Sequence, residues 1–250
     1  MITLKSSHEI ELMRRAGKIT AAARALAGEM VRPGVTTQEI NDAVEAFIRK
    51  QGAVPSFLGY SGYPASICAS VNDEVIHGIP GKRVLQEGDI VSIDVGAVVG
   101  GFHGDCAATF ACGTISKEAQ DLIDVTRQSF FEGIKQAREG NRLFDISAAI
   151  QTYAESHGYS IVREFVGHGI GRQLHEAPEV PNFAPGGRGP RLLRGMTLAI
   201  EPMVNAGTAA IRVLPDGWTV KTLDGKLSAH YENTVLITDG EPEILTAPAI

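Results

Sequence analysis

Cysteines are few in this chain, no long apolar run occurs, and no basic stretch stands out; each absence removes a class of protein. The 250 residues include three cysteines, Cys68, Cys106 and Cys112, and no CxxC pair. That argues against both a disulfide framework and a thiolate zinc site. No apolar run approaches the roughly 20 residues needed to span a bilayer. The leading MITLKSSHEIELMRR contains no signal-peptide apolar segment. A formal net charge of −6 argues against generic nucleic-acid binding. The chain therefore reads as a cytoplasmic protein with no membrane attachment and no nucleic-acid specificity. An apolar fraction of 44% is ordinary for a globular protein. The length suits one large domain or two intimately packed halves.

What is present is a duplication. EGDIVSIDVG holds Asp94 and RGMTLAIEPM holds Glu201; Gly88/Gly195, Ile93/Ile200 and Asp94/Glu201 all correspond at an offset of 107. Each segment is followed by a second strand-like run with an acid, HGDCAATFAC with Asp105 and HYENTVLIT with Glu232. Residues 34–52 align without a gap on 140–158 at an offset of 106, pairing Gly34/Gly140, Glu39/Asp145, Ile40/Ile146 and Gly52/Gly158. His77-Gly-Ile matches His168-Gly-Ile. The period is far too long for a solenoid. The chain reads as one domain, 1–250, of two pseudo-equivalent halves (about 1–115 and 116–250), with a site where they meet.

Capping boxes at Ser6/Glu9 and Thr36/Glu39 open two helices, the first running to about Met30 and the second ending near Gly52. An apolar stripe of Ile10, Met13, Ile19, Ala23, Leu26 and Met30 marks the buried side of the first. Strands are expected at about 65–71, 75–77, 90–98 and 102–110, helices from Ser116 to about Arg138 and over 143–157, and a loop over 181–191. Helices then strands, twice, imply an α+β fold with helices packed on an antiparallel sheet.

A buried strand rarely carries an unpaired carboxylate, because desolvating the charge is very costly. Alternation puts Ser92 and Asp94 on one face and Val91, Ile93 and Val95 on the other. A hairpin centred between Val99 and Gly100 would set Asp94 directly opposite Asp105, with Cβ atoms about 4.5–5.5 Å apart. Glu201 and Glu232 would repeat the arrangement. Carboxylates so close repel unless a cation intervenes. A lone strand acid is more often a solvated or capping residue, but four at repeat-related positions point to bound cations. Four carboxylates carry about the charge that two divalent ions neutralise. His168 would add a nitrogen ligand, and such a set suits Mn²⁺, Fe²⁺ or Co²⁺, with Zn²⁺ also compatible. His168 and His175 lie seven residues apart in GHGIGRQLHEAP, a Gly-rich stretch that reads as loop and strand edge bringing two imidazoles together.

Taken together, CASVNDEVIHGIP, DVGAVVGGFHGD, GHGIGRQLHE, AIEPM and SAHYENTV make the chain resemble, over essentially its whole length, the type I methionine aminopeptidases of the bacterial short form. The resemblance implies the pseudo-two-fold pita-bread fold and removal of N-terminal methionine from nascent proteins and peptides, with a small second residue preferred. It implies two divalent metals, activating a bridging water, on Asp94, Asp105, His168, Glu201 and Glu232, with Asp105 and Glu232 bridging. It makes His77 and His175 substrate-facing histidines, Glu201 the proton shuttle, and Tyr60, Tyr63, Cys68 and Trp218 the surround of the methionine side chain, with Phe57 beside them. Phe57 stands where a cysteine is common and Leu174 where an aromatic is common, so the shape of that pocket departs from the family pattern. The family often holds a monovalent cation on backbone oxygens near Asn72, Glu74 and Ser228. The partners implied are nascent-chain N-termini and a transient ribosome contact that no basic run requires; a monomer is expected. The rival readings are an X-Pro peptidase of the same fold and a non-enzymatic member that binds RNA or protein.

Overall fold

Helix α1 (Ser7–Met30) starts on Ser6, whose hydroxyl accepts from the Glu9 N–H while the Glu9 carboxylate accepts from the Ser6 N–H. Helix α2 (Thr37–Lys50) repeats this capping box with Thr36 and Glu39. The Ser116 hydroxyl caps α3 (Lys117–Ile134). This helix stops short of the expected Arg138, because 135–138 tighten into turns and the Gln136 carbonyl accepts from Asn141 Nδ2 instead of continuing the helix. Helix α4 (Leu143–Ser156) opens with the Asp145 carboxylate accepting from the Arg142 N–H at 2.8 Å. The computed structural model describes residues 1–247; positions 248–250 of the expected domain lie outside the described residues.

Among the described residues the strands form four sheets in which every pairing is antiparallel. The largest carries Gly167–Gly169 between Thr197–Ile200 and Glu176–Val180. Equivalent backbone bonds recur at the repeat spacing. The Gly34 N–H donates to Leu85 O and the Gly140 N–H to Leu192 O, both at 2.9 Å; Gly88 to Cys112 and Gly195 to Ile237 form a second such pair, again at 2.9 Å.

The hairpin of Ile90–Val99 and Phe102–Ala111 corrects one expectation. Its turn is Gly100-Gly101, with φ of 57° and 80°. Positive φ at both central residues is what a tight type I′ turn requires, and glycine adopts it without Cβ strain. The turn centre therefore falls between the two glycines, Val99 pairs with Phe102, and Asp94 stands opposite Ala107 while Asp105 stands opposite Gly96. The two carboxylates still share a face, diagonally instead of directly. In the other half Ile200 pairs with Asn233, so one further step along that register brings Glu201 opposite Glu232. The two halves thus repeat the acids but not their register.

The halves join beside these acids. Ala107 and Glu232 exchange backbone hydrogen bonds of 3.2 and 2.9 Å. The Thr234 hydroxyl donates to Asp105 O and accepts from the Asp105 N–H. Arg24 of α1, only 7% exposed, donates through Nη1 to Ala107 O, Glu232 O and Asn233 Oδ1. The face of α1 that sits deepest is Met13, Ala16, Gly17, Thr20, Ala23, Arg24 and Ala27, while Ile10, Ile19, Leu26 and Met30 of the expected stripe are only partly buried. Small residues win that face because the helix lies directly on the hairpin, where a Cβ at Gly104 would come within 2.8 Å of the Gly17 backbone nitrogen.

Replacing Arg24 by Met should keep the fold while removing a charged donor shared by buried acceptors of both halves, each of which retains one other donor. The expected cost is about 1.5–3 kcal/mol, the range for hydrogen bonds to a charged group. It would be read as a lower urea midpoint at unchanged m-value; an unchanged midpoint would mean that Arg24 does not clamp the junction.

Candidate metal centre and substrate pocket

Every residue singled out for the metal centre and the methionine pocket lines one cavity of about 110 Å³. Asp94, Asp105, His168, Glu201 and Glu232 contribute, as do His77 and His175; Phe57, Tyr60, Tyr63, Cys68, Leu174 and Trp218 supply the apolar part. Asp105 and Glu232 are buried, at 4% and 1% exposure, and Asp94 and Glu201 are partly exposed. His168 Nε2 lies 3.9 Å from Asp105 Oδ2 and 3.6 Å from Glu201 Oε1. Asp105, His168 and Glu232 can each point one donor atom at a common centre. Asp94 stays outside that compact group but borders the cavity on the same face of the hairpin. His168 is set by its flanking glycines. A Cβ at Gly167 would lie 2.3 Å from Ala199 O and one at Gly169 2.3 Å from Ala177 O, so the strand enters a slot too narrow for side chains there.

The donor set fits divalent cations. Asp94 Oδ1, Asp105 Oδ1 and Glu232 Oε1 are buried without a hydrogen-bond partner, a costly state for carboxylate oxygens unless a cation or proton satisfies them. Burial is the main force on all four acids. It raises Asp94 to about 7 and Glu201 to about 8. Asp105 and Glu232 are pushed well above the usual carboxylate range by burial first and by the neighbouring carboxylates second. Burial likewise lowers His168 to about 3, keeping its imidazole neutral as a ligand must be. Its Nδ1 lies 2.9 Å from Gly169 O, which places the N–H there and leaves Nε2 as the free donor atom.

His175 packs against His168 with ring centroids 4.0 Å apart and the planes tilted by 42°, so the Gly-rich stretch does bring the two imidazoles together. Tyr60 Oη lies 2.8 Å from His175 Nδ1. His77 follows the strand Glu74–Ile76 with φ of +59°, an uncommon conformation for a non-glycine residue. Its ring packs edge-on against Phe165 and Trp218, and burial lowers its pKa to about 4. Tyr63 and Trp218 meet edge to face at 5.0 Å. The Tyr63 hydroxyl reaches Ile67 O and Gly78 O, so the cavity is offered the ring and not the phenol. Cys68 is buried beside Tyr63, and burial holds its thiol protonated, which removes it as a nucleophile. Phe57 belongs both to the cavity lining and to the core cluster of Met13, Tyr63 and Leu174.

Asn72, Glu74 and Ser228 come close together, but their side chains are engaged: Asn72 with Asp89 and the Ile90 N–H, Glu74 with Arg83 and the Val71 N–H, and Ser228 with Asn205. One residue of the centre escaped the sequence reading. His230, 2% exposed, places Nε2 3.6 Å from Glu201 Oε2 and 3.9 Å from Glu232 Oε2. The available signal was HYE: an imidazole two residues before a strand acid shares its face.

The comparisons with known proteins agree with this geometry. Residues 11–239 match Metallopeptidase family M24, and the chain belongs to that family. Within it, relatives at 51–60% identity are methionine aminopeptidases. The enzyme of Clostridium perfringens is 60% identical over 98% of this chain and 99% of its own length; methionine aminopeptidase 1 of Bacillus subtilis is 51% identical over 98% and 99%. The crystal structure of methionine aminopeptidase from Rickettsia prowazekii superposes with a TM-score of 0.97 at 42% identity, covering 99% of this chain and 100% of that one. The pita-bread fold is thereby established. A prolidase from Pyrococcus horikoshii shares the fold alone, with a TM-score of 0.79 at 20% identity, and the match covers 64% of that protein.

The raised acids set a pH dependence. Their native pKa values lie above the unfolded ones, so their contribution to stability falls as pH rises from about 4 to about 8. The buried histidines, lowered from 6.5, act in the opposite direction but only up to that value, so above it the acids alone decide the sign. In chelator, Tm should therefore be lower at about pH 8 than at about pH 7, and Mn²⁺ or Co²⁺ should raise it most at the higher pH, since binding displaces protons. A chelated Tm that climbs across this window would contradict the acid cluster.

Proposed function

We propose that this chain is a dinuclear metal-dependent aminopeptidase that removes methionine from the N-termini of nascent proteins and peptides, acting as one domain of two halves. The observation that carries the reading is one cavity in which partnerless buried carboxylates meet a pocket of aromatic and sulfur-bearing side chains. The names of the relatives at 51–60% identity support the substrate.

Asp94, Asp105, His168, Glu201 and Glu232 would hold two divalent ions, with Asp105 and Glu232 shared between them. When bound, such ions lower the pKa of a water and offset charge developing on the scissile carbonyl oxygen. The protein's own groups do the rest. The methionine thioether suits the ring edges of Tyr60, Tyr63 and Trp218 with Phe57, Cys68 and Leu174 behind them. A Tyr60 hydroxyl donating to His175 Nδ1 fixes the tautomer that carries its proton on Nε2, from which it can donate to the substrate carbonyl. His77, held by two aromatic rings, faces the scissile nitrogen. Glu201 takes up the proton released by the attacking water and shuttles it toward the leaving amine, which His77 steadies or protonates. A monovalent cation, if bound near Asn72, Glu74 and Ser228, would have to use backbone oxygens, given their engaged side chains. Substrate supply implies nascent chains in the cytoplasm; ribosome contact would be transient, and the enzyme monomeric.

Release of methionine from Met-Ala-Ser should require added Mn²⁺ or Co²⁺ after exhaustive chelation, and acetyl-Met-Ala-Ser and Met-Arg peptides should be poor substrates. Cleavage of an X-Pro peptide in place of Met-Ala-Ser would favour the X-Pro reading, and full activity in protein shown metal-free by elemental analysis would sink the metal mechanism. His77→Ala should keep both metals and lose about 10²–10⁴-fold in kcat, the range for a positioned proton donor. His168→Ala should instead weaken one metal site. Calorimetric titration showing the opposite pattern would reverse these two roles.

A further inference from the structure

We propose that His230 is a positioning residue for the metal centre, donating from Nε2–H to Oε2 of Glu201 from behind the cavity. This rests on the metallopeptidase reading above and adds a residue to it. Glu201 has one imidazole at each oxygen: His168 Nε2 lies 3.6 Å from Oε1 and His230 Nε2 3.6 Å from Oε2. The two rings are not equivalent. His168 lines the cavity, whereas His230 is absent from the lining that contains all the other candidate ligands. A ring behind a carboxylate suits a hydrogen-bond donor to its outer oxygen better than a ligand to an ion in front of it.

His230 Nε2 is buried and has no hydrogen-bond partner. An orphaned polar atom at that depth calls for an acceptor. The nearest candidates are Glu201 Oε2 and, at 3.9 Å, Glu232 Oε2. A shift of roughly 0.5 Å brings the first within ordinary N–H···O range. The backbone holds the ring at this station. His230 pairs with Met203 at the end of its strand. Its N–H donates to Thr109 Oγ1 at 2.9 Å, and its carbonyl accepts from the same hydroxyl at 3.0 Å. With that proton committed, Thr109 accepts from Ser92 in the 2.8 Å contact between their hydroxyls. The first half thus anchors the residue that aims an acid of the second. The carboxylate oxygens of Glu201 and Glu232 face Nε2, so that nitrogen is where the ring's proton finds an acceptor. Ligating carboxylates are commonly fixed by outer hydrogen bonds of this kind, and their loss costs metal affinity.

The test compares His230→Leu, which fills the space without a donor, with His230→Gln, which retains an amide N–H. Calorimetric titration with Co²⁺ should show one site weakened by about 10–100-fold in His230→Leu, with His230→Gln close to the parent. If both variants match the parent, or both lose equally, the donor role is refuted. A parent that binds no Co²⁺ defeats the metallopeptidase reading and this inference with it, so the two failures are distinguishable. The parent alone gives a second measurement, independent of whether the variants fold. Histidine-selective ¹⁵N NMR of the Co²⁺-loaded protein should show His168 as a coordinated ring and His230 still protonated at Nε2. Coordination of His230 would overturn the proposal by making it a ligand.

Discussion

Four carboxylates share one desolvated spot at the junction of two half-structures, and the rest of the molecule is arranged to tolerate them. Burial first, and the neighbouring carboxylates second, drive their pKa values upward, to about 7 for Asp94 and about 8 for Glu201. Partnerless oxygens on Asp94, Asp105 and Glu232 show that protein donors do not neutralise the cluster. Such a constellation is stable only with protons or cations, because the desolvation cost of like charges in low dielectric exceeds any packing gain nearby. The same instability makes it chemically useful, since groups poised to exchange protons for metal ions are suited to hydrolysis.

The junction is held by bonds that cross it. Ala107 pairs with Glu232, Thr234 with Asp105, Thr109 with His230, and Arg24 spans both sides. Several of these contacts sit on the residues that carry the acids or next to them. The positions of Asp105 and Glu232 are therefore set partly by the opposite half, through the Thr234 hydroxyl and the Ala107 backbone, and not by their own strands alone. Precision of this sort matters for a metal site, where the donor atoms must converge to within a fraction of an ångström.

Much of this could be read from residue order. The capping boxes at Ser6/Glu9 and Thr36/Glu39 located α1 and α2, because a local side-chain-to-backbone bond depends on residues three apart. The repeat disclosed the acids, and the HGI, GHGIGRQLHE and AIEPM motifs placed them in a family. The Asp94–Asp105 register was misjudged, because a turn with two candidate centres one residue apart is decided by which residues accept positive φ. The buried face of α1 was also misjudged: apolar periodicity finds large hydrophobes, whereas close approach to a sheet selects small ones such as Ala16 and Gly17. His230 escaped because its significance lies in a distance to Glu201, a residue far from it in sequence.

By itself, then, the amino-acid sequence determined the helix starts, the duplicated framework, the identity of the acids and the apolar character of the pocket. These depend on local bonding, on periodicity and on chemical type, all of which are written in residue order. Tertiary structure decided the diagonal register of Asp94 and Asp105, the exposure of the Tyr63 ring in place of its hydroxyl, and the station of His230 behind Glu201. These depend on how strands pair and segments pack, and burial and distance between such segments exist only once the chain has closed on itself.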